Sequence, residues 1–301
     1  MEPVTYHEIT CVGAINHIKG NSRLPYANDL NSYRGCLHRC QYCFALYSHQ
    51  YMGTGSFYHD IYVKTNMAQR LERELASSSW KQDIVNLGGV TDSYQPAEAH
   101  YRLMPDILRL LIKYKTPAII STKSDLILRD YDLIDELSRL TYVNVAATIT
   151  TMDESLRSKL EPGAVSSHRR FEMLHAFSKT NACIGLHIMP VIPYLTDSYE
   201  NQDALLEEGK RCGAFYAITE PLNLRGNTRH QFMLFLKKEY PKIYPQLAAL
   251  YQTGSLNKEY KQGMYRMLGE LKQKHGISSA YRKWIHEKLP AQEQWEQLSL
   301  F

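Results

Sequence analysis

The sequence predicts an α/β fold of repeated strand–helix units around a parallel sheet, on three observations. Between residues 59 and 225, short apolar runs of strand length alternate with charge-rich stretches of helical period. The chain is long enough, at 301 residues with 44% apolar and 22% charged, to bury a sizeable core and to exclude disorder as its main state. The chemically distinctive residues follow the ends of the apolar runs, where loops at the carboxyl ends of parallel strands carry function.

Taken in order, the predicted units are a strand at residues 61–63 and a helix at 67–76 containing RLERELA, then a strand at 84–87 and a helix at 101–115. A strand at 118–122, a helix at 131–140, a strand at 143–149 and a helix at 167–178 follow. The series closes with a strand at 184–192, a helix at 201–212 and a strand at 215–219. A barrel and an open doubly wound sheet both fit this alternation. Beyond Leu224 the pattern becomes helical only, with breaks at Pro241 and Pro245 and a helix stop at Gly276, which predicts units at 1–225, 226–290 and 291–301.

Net charge is +4, but residues 226–301 hold 12 Lys and Arg against 6 Asp and Glu, so the C-terminal part is basic and the rest near neutral. That asymmetry suits either an acidic partner such as nucleic acid or a solvated helical surface. Tyr240, Tyr244, Tyr251, Tyr260, Tyr265 and Tyr281, interleaved with Lys258, Lys261, Arg266, Lys272, Lys274 and Arg282, suit base stacking or helix packing. The longest apolar runs are strand-length and residues 1–10 resemble no signal peptide, so a cytoplasmic protein without membrane spans is expected.

Three of the six cysteines, Cys36, Cys40 and Cys43, fall within eight residues in the spacing C-x3-C-x2-C, with Tyr42 before the last. Such clustering indicates a metal site in a reducing compartment rather than disulfides. Zinc would want a fourth ligand, which His38 or His49 can offer. Three thiolates around a four-iron cluster instead leave one iron open to a small molecule.

The segment YRGCLHRCQYCFA (residues 33–45) resembles the signature of the radical S-adenosylmethionine (SAM) enzymes. VTDSYQPAE (90–98), STKS (121–124), LEPGAVSSHRR (160–170) and PVIP (190–193) extend the resemblance to the spore photoproduct lyase-like branch over roughly residues 12–225. It implies a partial (β/α)6 TIM-type barrel, a [4Fe-4S] cluster on Cys36, Cys40 and Cys43, and cleavage of SAM to a 5'-deoxyadenosyl radical that abstracts hydrogen from substrate. It also implies SAM-binding roles for Tyr42, for Gly88, Gly89 and Thr91 after the second strand, for Lys123 and Ser124 after the third, and for Thr148 after the fourth. Tyr42 and Lys123 would stand nearest the chemistry, and Arg169 or, preferably, Arg170 would reach the SAM carboxylate. The lyase returns hydrogen to its product from a cysteine after the second strand. Here Val90 or a neighbour stands there and no cysteine lies between Cys43 and Cys183, so Cys183 or a tyrosine would have to serve. His168, His175 and His187 read as surface or core residues.

The expected substrate is a nucleic acid, DNA in preference to RNA, with flavodoxin or ferredoxin as electron donor. The rivals are a radical SAM enzyme modifying a peptide, tRNA or small molecule, and a non-catalytic cluster-bearing adaptor. The final residues, Gln297, Leu298, Ser299, Leu300 and Phe301, resemble the pentapeptide that docks bacterial repair proteins on the DNA polymerase sliding clamp.

Overall fold

The computed structural model describes residues 3–18, 24–52, 55–280 and 282–289; the clamp-motif residues Gln297–Phe301 lie outside them. The N-terminal part forms strands β1 (Thr5–Ile9), β2 (Ile15–His17), β3 (Asn28–Leu30) and β4 (Tyr33–Arg34), the 3-10 stretch Phe44–Met52 and strand β5 (Asp60–Lys64). The alternating region holds α1 (Met67–Leu75), β6 (Val85–Leu87), α2 (Ala97–Tyr101), α3 (Leu103–Lys113), β7 (Ala118–Thr122), α4 (Tyr131–Leu140) and β8 (Val143–Thr148). It continues through α5 (Glu154–Leu160), α6 (Ser167–Phe177), β9 (Cys183–Val191), α7 (Tyr199–Arg211) and β10 (Tyr216–Pro221). Helices α8 (Gly226–Glu239), α9 (Tyr244–Leu250), α10 (Lys258–His275) and α11 (Arg282–Lys288) complete the chain.

The main sheet runs β10-β9-β8-β7-β6-β3-β2, with β3, β6, β7, β8, β9 and β10 parallel in chain order and β2 antiparallel at the edge. Its two end strands do not pair with each other, so this is the expected six-stranded partial barrel, open along one side. The strand predicted at 61–63 exists as β5 but belongs to a separate small sheet, β1-β5-β4. The first barrel strand is β3, which the apolar pattern does not reveal. All six positions of β8 are buried, as befits a parallel strand covered on both faces.

The helix expected at 101–115 is α3, and a separate short helix, α2, precedes it. Arg102 adopts a left-handed conformation (φ 51°) between α2 and α3. Pro105 sits in the first turn of α3, where no intrahelical donor is lost. The buried Glu98 carboxylate accepts the otherwise orphan amides of Leu103 and Met104 (both 3.0 Å). Asp153, Ser166, Ser198 and Asn257 cap α5, α6, α7 and α10 in the same sense.

Helices α8 to α10 bury Phe232, Leu236, Leu247, Tyr251, Met264, Leu268 and Leu271 in the same apolar cluster as the barrel strands. Their tyrosines mostly pack: the Tyr251 hydroxyl donates to Leu222 O (2.7 Å) and that of Tyr260 to Asp197 (2.6 Å). Among the described residues no helix is long and apolar enough to cross a membrane.

Candidate active site

The cysteine loop leaves β4 and is tied down on every side. Cys36 N donates to Phe57 O (3.0 Å), Leu37 N to Gln95 Oε1 (2.9 Å), Gln41 N to Leu160 O (2.9 Å) and the Tyr58 hydroxyl to Cys40 O (2.6 Å). Thr228 of α8 donates to Cys43 O (2.8 Å), so the C-terminal helices brace the same loop. The Glu161-Pro162-Gly163 turn lies so close that a Cβ on Gly163 would stand 1.9 Å from Leu37 O, which explains the glycine sterically. Thr91 Oγ1 donates to Gly35 O (2.7 Å), joining the loop after β6 to the cysteine loop.

Cys36, Cys40 and Cys43 front one cavity of about 920 Å³ at the carboxyl ends of the barrel strands. Gly88, Gly89, Thr91, Lys123, Thr148 and Tyr42 share its walls, so six further predicted residues converge there. Burial pushes all three thiols up, that of Cys40 to about 12, so each is protonated unless a bound cationic group takes it as thiolate. Among the described residues no three His, Cys, Asp or Glu side chains converge on one ion. His38 instead faces Asp92 (3.3 Å), and His49 packs against Phe57. A donor set of three separate thiols and no fourth ligand fits a cluster with an open iron better than tetrahedral zinc.

Behind this wall lies a buried charge network. The Tyr42 hydroxyl donates to Glu161, which pairs with Arg170 at 2.6 Å; both charged side chains are 0% exposed. Arg170 also donates to Thr148 O (2.7 Å) and Val165 O (2.7 Å). Desolvation would raise the Glu161 carboxyl, but Arg170 and Lys123 hold it below its ordinary value. Arg170 therefore does not line the cavity, and its donors face Glu161 and backbone carbonyls; Arg169 forms an exposed pair with Asp125. Ser124 is likewise outside the lining, where its hydroxyl accepts Leu126 N (3.2 Å) as a helical cap.

Lys123 is different. Its ammonium lies over the Tyr42 ring at 5.8 Å, and its backbone N–H donates to Asp92 Oδ2 (2.9 Å). Burial alone would discharge it, yet the attraction of Cys40 and Glu161 raises its pKa above the ordinary value, so a cation faces the cavity. Asp92 would be raised by burial but is held at about 2 by His38 and by the Lys123 and Tyr94 amides. It anchors the loops after β6 and β7 to each other, accepting also from Thr122 Oγ1 (2.8 Å).

Several wall residues were not placed at the site by sequence reasoning. His187, expected at the surface or in plain core, lines the cavity, and burial pulls its imidazole down to about 4. It bonds the Tyr216 hydroxyl (3.1 Å), which donates to Asn144 Oδ1 (3.0 Å). Tyr265, Leu268, Gly269 and Lys272 of α10 form a further wall. Cys183 starts β9 at the opposite end of the barrel, outside this cavity.

Comparison with known proteins agrees with this geometry. An uncharacterized protein of Mycobacterium tuberculosis is 35% identical over 284 residues, covering 93% of this chain and 83% of its own. The fold is similar to that of spore photoproduct lyase complexed with dinucleoside spore photoproduct, with TM-score 0.65 at 11% identity, covering 90% of this chain and 79% of that one. A variant of the same lyase with bound AdoMet and dinucleoside spore photoproduct gives TM-score 0.60 at 9% identity, covering 85% and 76%. The family model of the radical SAM superfamily matches residues 30–204, which run from β3 and the cysteine loop into α7. On that match, over more than half its length, the chain belongs to the radical SAM superfamily, enzymes that work with a [4Fe-4S] cluster and SAM.

Proposed function

We propose that Cys36, Cys40 and Cys43 hold the [4Fe-4S] cluster, that SAM occupies the adjoining cavity, and that the substrate is a nucleic acid, DNA in preference to RNA, repaired or modified at a base. The observation that carries the reading is the convergence of three thiols and the Lys123 ammonium on one cavity. When bound, the cluster supplies the electron for reductive cleavage of SAM, the source of a 5'-deoxyadenosyl radical in this family.

The chain's own residues do the rest. Lys123 neutralises the SAM carboxylate as a point charge. Gly88, with φ +95°, and Gly89, where a Cβ would stand 2.0 Å from Asp29 Oδ2, shape the loop that walls the cofactor, and Thr91 and Thr148 line its bed. Tyr42 shields the thiols and is held by Glu161, which Arg170 holds in turn. Arg170 and Ser124 thus serve the site as positioning residues. At about 920 Å³ the cavity is near the top of the range for small-ligand pockets, with room for a cofactor and a substrate unit.

The nucleic-acid reading is supported by the lyase of similar fold, whose structure holds a dinucleoside photoproduct, and by the basic balance of residues 226–301. Units 1–225, 226–290 and 291–301 then act as catalytic barrel, substrate-facing helices and recruiting tail, with flavodoxin or ferredoxin as electron donor. The test is anaerobic reconstitution with iron and sulfide, assay of 5'-deoxyadenosine from SAM and reductant, and identification of the polymer that crosslinks to the chain. Cleavage without any crosslinked DNA or RNA would move the substrate to another class.

A further inference from the structure

Helix α10 lies wholly beyond the 30–204 span of the family match, yet it forms one wall of the cavity. Tyr265, Leu268, Gly269 and Lys272 are spaced i, i+3, i+4, i+7, which places them on one helical face, and that face is turned to the site. A helix that only covered a barrel would fill this face with apolar side chains. Here only Leu268 does so.

Gly269 stands in the interior of the 18-residue helix, where glycine weakens a helix relative to alanine. No packing explains it: a Cβ there would meet nothing within 4 Å. The missing side chain leaves open space on the cavity side of the helix. One turn further on, Lys272 donates to Thr219 Oγ1 (2.8 Å), which leaves two of its three N–H donors for a ligand. Burial pulls its ammonium down to about 8, a cost that an acceptor on a bound ligand would relieve. Glu220, which accepts from the Tyr265 hydroxyl (3.0 Å), lines the same wall.

We propose that the Tyr265–Gly269–Lys272 face of α10 is the substrate-binding wall, with the open space over Gly269 receiving a nucleobase whose polar edge meets Lys272 and Glu220. This rests on the nucleic-acid reading above. The charges choose base over phosphate: Lys272 and Glu220 together are near neutral, and a phosphate would face the Glu220 carboxylate at close quarters. A nucleobase edge carries both carbonyl acceptors and N–H donors, and so matches a cation and an anion side by side.

The test uses the reconstituted full chain with SAM and a fluorescent single-stranded deoxyoligonucleotide of about ten nucleotides, with an abasic oligonucleotide of equal length as control. Gly269→Leu, which fills the open space over Gly269, and Lys272→Met are each expected to weaken binding about tenfold, while Gly269→Ala stays within about threefold. The abasic probe should bind wild type about as weakly as the intact probe binds Gly269→Leu. Thermal midpoints no lower than wild type for Gly269→Leu and Gly269→Ala separate lost binding from lost folding. Equal binding by wild type and both disruptive variants, or equal binding of abasic and intact probes by wild type, would overturn the proposal. Failure of wild type to bind either probe would overturn the nucleic-acid reading itself, and this inference with it.

Discussion

Replacing Arg170 by Met leaves the Glu161 carboxylate buried without its partner, and the size of the penalty can be worked from the contacts. Both side chains are fully buried, their pair is 2.6 Å long, and Arg170 also satisfies Thr148 O and Val165 O. Breaking one side of such a pair costs about 3–5 kcal/mol, because the surviving charge stays desolvated. Lys123 also acts on Glu161, which favours the lower end of that range. With an unfolding entropy of roughly 2.1 cal/mol/K per residue, 301 residues give about 0.6 kcal/mol/K, so the melting midpoint should fall by about 5–8 °C. Circular dichroism of the anaerobic apoprotein measures it. The double variant Glu161→Met with Arg170→Met should recover part of the loss, since no charge is orphaned although the Tyr42 hydroxyl and the Thr148 and Val165 carbonyls lose their partners. A fall under about 2 °C, or a double variant no better than the single, would refute the claim that this pair is a buried strut behind Tyr42.

His187 supplies a pH test. Burial lowers its imidazole to about 4, below the unfolded value of about 6.5, so folding favours the neutral form. Its stabilisation is complete above about pH 6.5 and is lost as pH falls towards 4, amounting to about 2 kcal/mol between pH 8 and pH 5. Denaturant midpoints at the two pH values should therefore differ less in His187→Asn than in wild type by about that amount, and equal differences would contradict the burial argument. Gly163→Ala places a Cβ 1.9 Å from Leu37 O, so it should cost about 2 kcal/mol and lower iron loading after reconstitution; unchanged iron content would show that the turn does not shape the cysteine loop. A peptide of residues 290–301 should bind a bacterial sliding clamp at micromolar strength and lose binding with Leu300→Ala plus Phe301→Ala, and no binding by peptide or whole chain would remove the clamp from the account.

The later barrel was legible because its strands are apolar runs between amphipathic helices, as at Val143–Thr148 beside Tyr131–Leu140. The first strand was not. Asn28–Leu30 spans three residues, two of them polar, and its strand state comes from pairing with β2 and β6 rather than from any local preference. The clustering of the thiols was legible from spacing, and Lys123 and Thr148 were picked out by the family resemblance, at the strand ends where the structure puts them on the cavity wall. Arg170 was misplaced because a family position says nothing of competing acceptors, and in this chain Glu161 and two carbonyls lie nearer than the cavity. His187 hid inside an apolar strand, where only the curl of the sheet turns it towards the site. The inward face of α10 was legible only in part: Tyr265 and Lys272 stood among residues that suit either base stacking or helix packing, while Gly269 carried no signal until β10 is seen opposite.

The central claim, that three thiols hold a catalytic iron–sulfur cluster, is tested most directly by metal analysis coupled to SAM turnover. Anaerobically reconstituted wild type should contain about four irons per chain and release 5'-deoxyadenosine from SAM with reductant, and Cys36→Ala, Cys40→Ala and Cys43→Ala should each abolish that release. One tightly bound zinc and no iron after reconstitution, or undiminished 5'-deoxyadenosine from any of the three variants, would contradict it.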